Sequence, residues 1–448
     1  MTHDLESLTA RLLDVARRAG ADAADAMALH GASVSIDVRH GRLEQAERAD
    51  GTEIGLRVLV GRRQATVGAS DISDRTVAAL AERAVAMARE APEDASLGLA
   101  DPGELSAVRN AEALELSDPG PEPKAAELEQ SAREAEAAAL AVPGVSQTEG
   151  ASARHSRQVL HIAMTNGFSG GYARTSTAIS ATAITGEGTA MERDHAWEAR
   201  VRRSDLPDPA GIGRLAGERT VARRGARKPP TGAFPVLFDE RVASGLIAHL
   251  LAAVNGGAVV RGSSWLRGRL GSQVLPASLS ILEEPHRPRI FGSRPFDDEG
   301  LRTAPRAIVR DGILAGWTLD LGTARRLGMQ STAAAMRGPS SPPSPGHSNI
   351  RLTPGTATRG DLIRDMGTGL VVTSMLGASV NPTTGDYSRG AAGFWVEDGQ
   401  IAWPVNECTV AGNLIDMLMR ITPANDGREY MGHVVPSLLV EGLTIAGK

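Results

Sequence analysis

The spacing of apolar residues along the first half of the chain predicts helices and hairpins in turn. Apolar residues three or four positions apart indicate helices, and strict alternation with polar residues indicates strands. Residues 4–19 carry leucine and alanine at helical spacing, and Gly20 follows where a helix would end. The stretches 34–47 and 54–67 alternate apolar and polar residues around short turns, which is typical of β-hairpins. This order predicts an antiparallel sheet that begins soon after the first helix.

Helical and strand patterns then repeat. Residues 73–90 and 123–142 are rich in alanine with apolar residues at helical spacing, so we expect two further helices covering one face of the sheet. Residues 157–203 alternate again, and Asn166-Gly167 is the strongest short hairpin signal in this half. The first half is therefore predicted to be α+β.

A boundary falls between residues 223 and 235, where prolines, glycine and basic residues interrupt all periodicity. We predict two domains, 1–228 and 233–448. Beyond the boundary, Asp311-Gly312 and Asp398-Gly399 lie between apolar alternations, so the second half is also rich in antiparallel strands. The predicted fold class is α+β, with two domains whose antiparallel-rich sheets are covered by helices.

The composition of the chain disfavours or excludes several classes of function. The formal net charge of −5 provides no long-range attraction to phosphate backbones or anionic lipids, which disfavours direct nucleic-acid binding. Cys408 is the only cysteine, which excludes an intrachain disulfide and fits a reducing cytoplasm. No apolar run approaches the roughly 20 residues needed to span a bilayer. We expect a cytoplasmic protein that neither spans a membrane nor carries an export signal.

A zinc peptidase site needs two histidines on one helical face with an adjacent glutamate, because the ligands must converge and the carboxylate must reach the metal-bound water. No His-Glu pair exists anywhere in this sequence. A helix predicted over residues 239–256 contains His249, which has no second ligand at helical spacing. The other histidines considered also stand singly and are predicted to be ordinary side chains: His195, His286, His347 and His433.

Other candidate groups favour structural roles. The acidic runs Glu283-Glu284 and Asp297-Asp298-Glu299 are predicted to cap turns or to face solvent. Ser263 and Ser264 lack the surroundings of a nucleophilic serine. Cys408 lies in a strand-like segment, so we interpret it as a buried structural thiol rather than a reactive one. The sequence offers no assembled set of catalytic residues.

The stretch 380–396 is the most unusual in the chain. Small residues and three glycines would let another backbone approach closely, and Arg389 could bind a carboxylate or a peptide carbonyl. A tight loop leading into the hairpin at residues 394–405 explains the same composition equally well. The residues alone leave a peptide groove and a simple loop as equal alternatives.

Several segments of the second half together resemble the TldD/PmbA family, in particular its TldE/PmbA branch. They are residues 380–396, Val396-Glu397-Asp398-Gly399-Gln400-Ile401, residues 410–417, Phe296-Asp297-Asp298-Glu299-Gly300, Arg337-Gly338, Asn425-Asp426, and residues 436–447. The first half resembles the family mainly in length and in its order of helix and hairpins.

The resemblance implies the absence of catalytic metal in this chain. TldD subunits of the family carry a zinc-holding His-Glu-x-x-x-His helix, whereas TldE/PmbA subunits lack it and pair with TldD. Aligned with that helix, His249 takes the first position, but Leu250 replaces the glutamate and Val254 the second histidine. His249 is then the vestige of a metal helix, and zinc is expected in a TldD-type partner.

The function implied is that of a zinc-less subunit of a TldD–TldE complex that degrades or processes unfolded and extended peptides. No catalytic residue is assigned to this chain. The segment from Asp386 to Gly390 is the predicted peptide contact, and its members are Asp386, Tyr387, Ser388, Arg389 and Gly390. The alternative is an independent peptide-binding adaptor that could form a homodimer and never joins a protease.

Overall fold

The computed structural model describes residues 4–447, with the side chains of Ala378 and Ser379 left aside. The helices of this part are α1 Leu5–Ala19, α2 Asp74–Glu90, α3 Ala125–Leu140, α4 Pro209–Ala222, α5 Glu240–Ala253, α6 Gly256–Arg261, α7 Leu321–Leu327, α8 Arg359–Met366 and α9 Leu414–Met419. No helix among residues 4–447 is both long and apolar enough to cross a membrane.

The strands fall into two groups along the chain. Those of the first half are β1 Ala23–Arg39, β2 Arg42–Val60, β3 Arg63–Ala69, β4 Gln147–Met164, β5 Ser169–Thr185 and β6 Glu192–Arg200. Those of the second half are β7 Gly232–Phe238, β8 Ile281–Glu283, β9 Arg306–Arg310, β10 Ile313–Leu314, β11 Ala335–Met336, β12 Ser344–Pro345, β13 Ile350–Leu352, β14 Gly369–Val380, β15 Asp386–Glu397, β16 Gln400–Asn413, β17 Ile421–Pro423, β18 His433–Val434 and β19 Leu438–Ala446.

The first half forms one antiparallel sheet in the order β3-β2-β1-β4-β5-β6. The turn residues of these hairpins have a left-handed backbone: His40 and Gly41 join β1 to β2, and Gly167 joins β4 to β5. Residues in these turns adopt positive φ because the strands are connected too tightly for an extended link. The predicted hairpins of the first half are confirmed.

Four helices cover this sheet. Asp4 caps α1 by accepting hydrogen bonds from the backbone N–H groups of Glu6 and Ser7, and Gly20 ends the helix in the left-handed conformation. The apolar faces of α1 and α2 pack on one part of the sheet, and α3 and α4 pack on another. Met87, although it lies at helical spacing with the core residues of α2, is exposed.

The second half contains a six-stranded sheet in the order β16-β15-β14-β7-β19-β17. A further pairing of β16 with β19 joins the first five of these strands into a closed ring. Only the β14–β7 pairing within it is parallel. A five-stranded sheet in the order β10-β9-β8-β13-β18 lies beside it. These sheets confirm the predicted α+β class and the antiparallel character of the second half, while the division at residues 228 and 233 stays a prediction.

Buried charges connect the two halves. Asp25 on β1 is fully buried and accepts a 2.5 Å hydrogen bond from Nε of Arg57 on β2. The guanidinium of Arg337, from the second half, forms an ion pair with the same carboxylate, and its side chain is also fully buried. Beyond it, Pro339 packs so closely on Gly55 that a Cβ there would lie 2.0 Å from the Pro339 carbonyl oxygen.

In the acidic run, Asp297 and Glu299 are buried in this same interior and Asp298 is half-buried, so solvent exposure, one of the two predicted alternatives, is wrong. Asp297 does close a turn, since it accepts from the backbone N–H groups of Glu299 and Leu301. Burial raises the pKa of Asp297 to about 6, and burial together with the charge of Asp297 raises the pKa of Glu299 to about 8. The charge of Arg57 opposes the shift of the Glu299 pKa without cancelling it, so this buried carboxyl keeps its proton near pH 7.

The two residues of the other acidic run, Glu283 and Glu284, lie in different environments. Glu283 is buried, accepts a 2.7 Å hydrogen bond from the backbone N–H of Ser348, and forms an ion pair with Arg306 at 2.8 Å. Glu284 is half-buried and pairs with Arg351 at 3.0 Å. The predicted solvent exposure is therefore wrong for Glu283, because it lies on the buried face of β8, in which buried and exposed residues alternate.

Candidate functional site

Helix α5 is the element on which the candidate site is built. Asp239 caps it by accepting from the backbone N–H of Arg241, and Asn255 begins the short helix α6 immediately after it. Leu246, Ile247 and Leu250 are buried against the core of the second half. The opposite face of α5 borders two cavities, one at each end of the helix.

The cavity at the carboxyl end of α5 has a volume of about 570 Å³, and we call it the His249 cavity. Its walls come from α5, α6 and the segments that follow α6 and β14. The lining residues that matter below are His249, Asn255, Arg261, Trp265, Val380 and Pro382. No aspartate or glutamate is among the residues that line it.

His249 is half-buried, and its Nε2 atom is inaccessible to solvent without a hydrogen-bond partner in the described part of the chain. Its ring packs edge-on against Tyr387, with the centroids 5.8 Å apart. Burial lowers the pKa of His249 below its usual range, and the positive charge of Arg389 lowers it further. The imidazole is therefore neutral near pH 7.

These residues do not fit a zinc ion. Leu250 and Val254, which take the positions of the missing ligands, are both 0% exposed and belong to the core rather than the cavity. No group of three or more His, Cys, Asp or Glu side chains close enough to hold a metal is found among residues 4–447. A zinc site needs three or four converging donors, and His249 supplies one.

The predicted peptide contact at residues 386–390 is a strand, not a loop. β15 pairs with β16 along this whole segment and with β14 at Tyr387, Ser388 and Gly390, so most of its backbone is already paired. Asp386 and Ser388 are exposed, whereas Tyr387 is buried and burial raises its pKa to about 12. Pairing on both edges overrides the loop-like composition, and any ligand contact here would use side chains.

Arg389 is the member of this segment that approaches α5. Its Nε donates a 2.8 Å hydrogen bond to the carbonyl oxygen of Gly377. A Cβ built on Gly245 of α5 would lie 4.0 Å from one of its terminal nitrogens, so the guanidinium lies against the helix. The structure therefore brings together three residues from the sequence prediction, Arg389, Tyr387 and His249.

A second cavity, of about 250 Å³, lies at the amino end of α5, and we call it the Arg219 cavity. It is lined by Arg219 from α4, by Arg241 from α5, by Arg428, and by Thr373 from β14. Arg241 pairs with Asp194 at 3.3 Å, and Arg428 pairs with Glu198 at 2.5 Å. Thr373 Oγ1 is buried without a hydrogen-bond partner in the described residues.

Sequence reasoning missed the Arg219 cavity because its residues come from five separate segments and form no motif. Of the single histidines, His195 and His433 line this cavity. His286 and His347 instead contact threonines, Thr303 and Thr318, at 2.9 Å and 2.8 Å. Burial lowers the pKa of His347 to about 4, so it is a neutral structural residue.

The remaining nucleophile candidates have structural roles. Cys408 is buried, its Sγ donates to the carbonyl oxygen of Ala391 at 3.2 Å, and burial raises its pKa to about 11. Ser264 Oγ donates to the carbonyl oxygen of Ala253 at 2.6 Å, which ties the chain after α6 to the end of α5. The interpretation of Cys408 as a buried structural thiol is confirmed.

Three family models match consecutive parts of the chain and define its class. The PmbA/TldA metallopeptidase C-terminal domain matches residues 231–447, the central domain matches residues 116–224, and domain 1 matches residues 24–88. The chain belongs to the PmbA/TldD metallopeptidase family. The family resemblance inferred from the sequence is confirmed.

Particular relatives extend over nearly the whole chain. The metalloprotease PmbA of Escherichia coli O157:H7 is 37% identical over 93% of this chain and 90% of its own length. The metalloprotease PmbA homolog of Haemophilus influenzae is 35% identical over 99% of this chain and 96% of its own length. The chain is therefore similar to proteins of the PmbA type across both halves.

Solved structures share the fold. A protein described as a modulator of DNA gyrase from Bacteroides thetaiotaomicron superposes with a TM-score of 0.92 at 25% identity and covers 100% of both chains. TldE from Thermococcus kodakarensis superposes with a TM-score of 0.85 at 19% identity, covering 98% of this chain and 100% of its own. At that identity the second match concerns the fold alone.

Proposed function

We propose that this chain is the non-catalytic, TldE/PmbA-type subunit of a cytoplasmic TldD–TldE metallopeptidase complex, in which it supports assembly and binds unfolded or extended peptides. Zinc and hydrolysis would be supplied by a TldD-type partner. The observation that carries the proposal is the environment of α5, where His249 faces a cavity alone while Leu250 and Val254 are packed in the core. One imidazole can neither hold zinc nor activate its water.

Electrostatics supports the same proposal. Arg261 lines the His249 cavity, and the charge of Arg389 acts on the imidazole. Two fixed positive charges disfavour a divalent cation at this place, and no lining carboxylate offsets them. A metal-dependent role for this chain alone would require a different site.

Peptide binding by strand addition would use β14. Strand β7 pairs with β14 only at Leu370–Val372, so within the described chain the rest of that edge of β14 has no neighbouring strand. Thr373 to Met375 line the Arg219 cavity, and Val380 lines the His249 cavity. A peptide paired with this edge would run from one cavity to the other, using backbone hydrogen bonds that tolerate many side chains.

The test is to purify the chain alone and together with a TldD-type protein, and to measure zinc content and peptide hydrolysis of each preparation. We expect no bound zinc and no hydrolysis by the isolated chain, and both in the co-purified complex. Stoichiometric zinc with hydrolysis by the isolated chain would refute the proposal. Self-association that persists when the TldD-type protein is present would favour the peptide-binding adaptor instead.

The proposal does not include direct contact with DNA. The structural relative is described as a modulator of DNA gyrase, but the net charge of −5 on this chain gives no general attraction for the phosphate backbone. An effect on gyrase would then be indirect, through peptides or proteins that the complex cleaves.

A further inference from the structure

We propose that the Arg219 cavity is a subsite for one bulky, uncharged side chain, aromatic or aliphatic, of a peptide that lies along the free edge of β14. The inference rests on the proposed function for the peptide and for its place on β14. It deepens that function by naming the class of residue that binding favours at this point.

Apolar side chains from four separate segments converge on the cavity and are the first support. Trp197 of β6 is left 43% exposed at the cavity wall. A ligand that covers this ring gains a large apolar contact area. The two methionines of the wall are flexible and adapt to side chains of different shape. The apolar residues that line the cavity with Trp197 are Val242, Met375, Met431 and Val435.

The arginines of the cavity already have acidic partners, which is the second support. Arg241 pairs with two aspartates, at 3.3 and 3.1 Å, and Arg428 pairs with two glutamates, at 2.5 and 3.6 Å. Acidic charges also act on Arg219, and one of its terminal nitrogens donates to the carbonyl oxygen of His195 at 3.2 Å. An acidic ligand group would compete with these partners and a basic one would meet the arginines, so an uncharged side chain is favoured.

The size and position of the cavity fit a single side chain. Its volume of about 250 Å³ lies below the roughly 300–1,000 Å³ of pockets that enclose a whole drug-sized ligand. Ser374 and Met375 line it and lie beyond Val372, the last residue of β14 that pairs with β7. Successive side chains of a peptide strand added at this free edge point to opposite faces, so one of them enters the cavity here.

Fluorescence anisotropy of labelled hexapeptides on the isolated full-length chain tests the inference. The host peptide consists of alanine and serine, and one central position is varied among alanine, phenylalanine, leucine, glutamate and lysine. We expect the phenylalanine and leucine peptides to bind about 10- to 100-fold more tightly than the glutamate and lysine peptides, because the gain from burying an apolar side chain of that size corresponds to this range. Tightest binding by the glutamate peptide would show that the arginines form an anion site and would overturn the inference.

Variants connect the preference to the cavity. Trp197→Ala and Met375→Ala should each reduce the preference for the phenylalanine peptide over the glutamate peptide by about fivefold or more. Phe291→Ala is the matched control, because Phe291 is also an exposed aromatic residue, at 50%, and is not among the residues that line the cavity. Unchanged affinity for the alanine host peptide shows that a variant is folded. An undiminished preference in both cavity variants would contradict the assignment.

Failure of this inference differs from failure of the proposed function. If none of the hexapeptides binds, peptide binding by this chain is refuted and the inference falls with it. If all of them bind equally, only the subsite is refuted and peptide binding stands. Zinc content and hydrolysis do not enter the assay, so its result is independent of whether a TldD-type partner is found.

Discussion

Replacing Glu299 by glutamine should make the stability of the protein less sensitive to pH. Glu299 is 3% exposed, and its Oε2 accepts a 2.8 Å hydrogen bond from the backbone N–H of Leu321. Glutamine keeps an oxygen for that hydrogen bond but cannot ionise. The substitution therefore isolates the effect of the proton from the effect of the side chain's shape.

The sign follows from the raised pKa of the buried carboxyl. Below pH 4.5 the folded and unfolded chains both hold the proton, so it contributes nothing to the pH dependence. Between 4.5 and about 8 the unfolded chain releases the proton while the folded chain retains it, so the free energy of unfolding falls as pH rises. At 1.36 kcal/mol per pKa unit this amounts to at most ~5 kcal/mol, and relaxation of the site on ionisation reduces it.

The assay is urea denaturation of the unmodified protein and of Glu299→Gln at pH 5.5, 7 and 8.5. We expect the variant to gain stability relative to the unmodified protein by ~2–4 kcal/mol over this range, with Asp297 providing a smaller residual dependence at the acid end. Glu218→Gln, on an exposed position of α4, is the control. Parallel pH profiles for the unmodified protein and Glu299→Gln would refute the reasoning.

Three further predictions concern other parts of the fold. Gly55→Ala should lower the free energy of unfolding by ~1–3 kcal/mol in urea titrations, because its Cβ would meet the Pro339 backbone, whereas Gly31→Ala, with open space around it, should have little effect. Leu250→Glu should destabilise the chain by ~3 kcal/mol or more by the same measure and leave zinc content unchanged, since this position is in the core. Cys408 should react with a thiol reagent at pH 8 only after unfolding, and rapid labelling of the folded protein would contradict its burial.

Local sequence patterns predicted hairpins and helices of this fold. Asp311 and Asp398 have positive φ as their Asp-Gly turns predict, and Gly20 ends α1 as the pattern indicates. These features depend on residues close together in the chain. Pairings between distant segments, such as β16 with β19, have no comparable local signal and were not predicted.

At the candidate site, too, features with a local signal were predicted and features that depend on distant segments were not. The helix carrying His249 was predicted from its periodicity, but the interpretation of residues 386–390 as a loop was wrong, because pairing with β14 and β16 overrides a composition rich in glycine. Gly393 illustrates the reason, since a Cβ there would lie 1.9 Å from the carbonyl oxygen of Val371. Glycine in this stretch permits a strand to approach its neighbour closely, as well as permitting turns.

The arginine-lined cavity at the amino end of α5 could not be predicted, because partners such as Arg428 and Glu198 are brought together only by folding. Likewise, nothing local distinguishes Arg261, which has no acidic partner among residues 4–447, from Arg241, which has two. Whether an arginine has an acidic partner depends on which residues folding brings near it. This decides which positively charged side chains remain available for a ligand.

The position of β19 has a consequence for how the protein forms during synthesis. β19 pairs with β7, where Ile445 lies opposite Gly232, and also with β16. A ribosome must therefore translate the intervening segments before β7 can acquire this neighbour. Until then one edge of β7 stays unpaired, and nascent chains would be exposed to edge-to-edge aggregation or would need a chaperone to shield that edge.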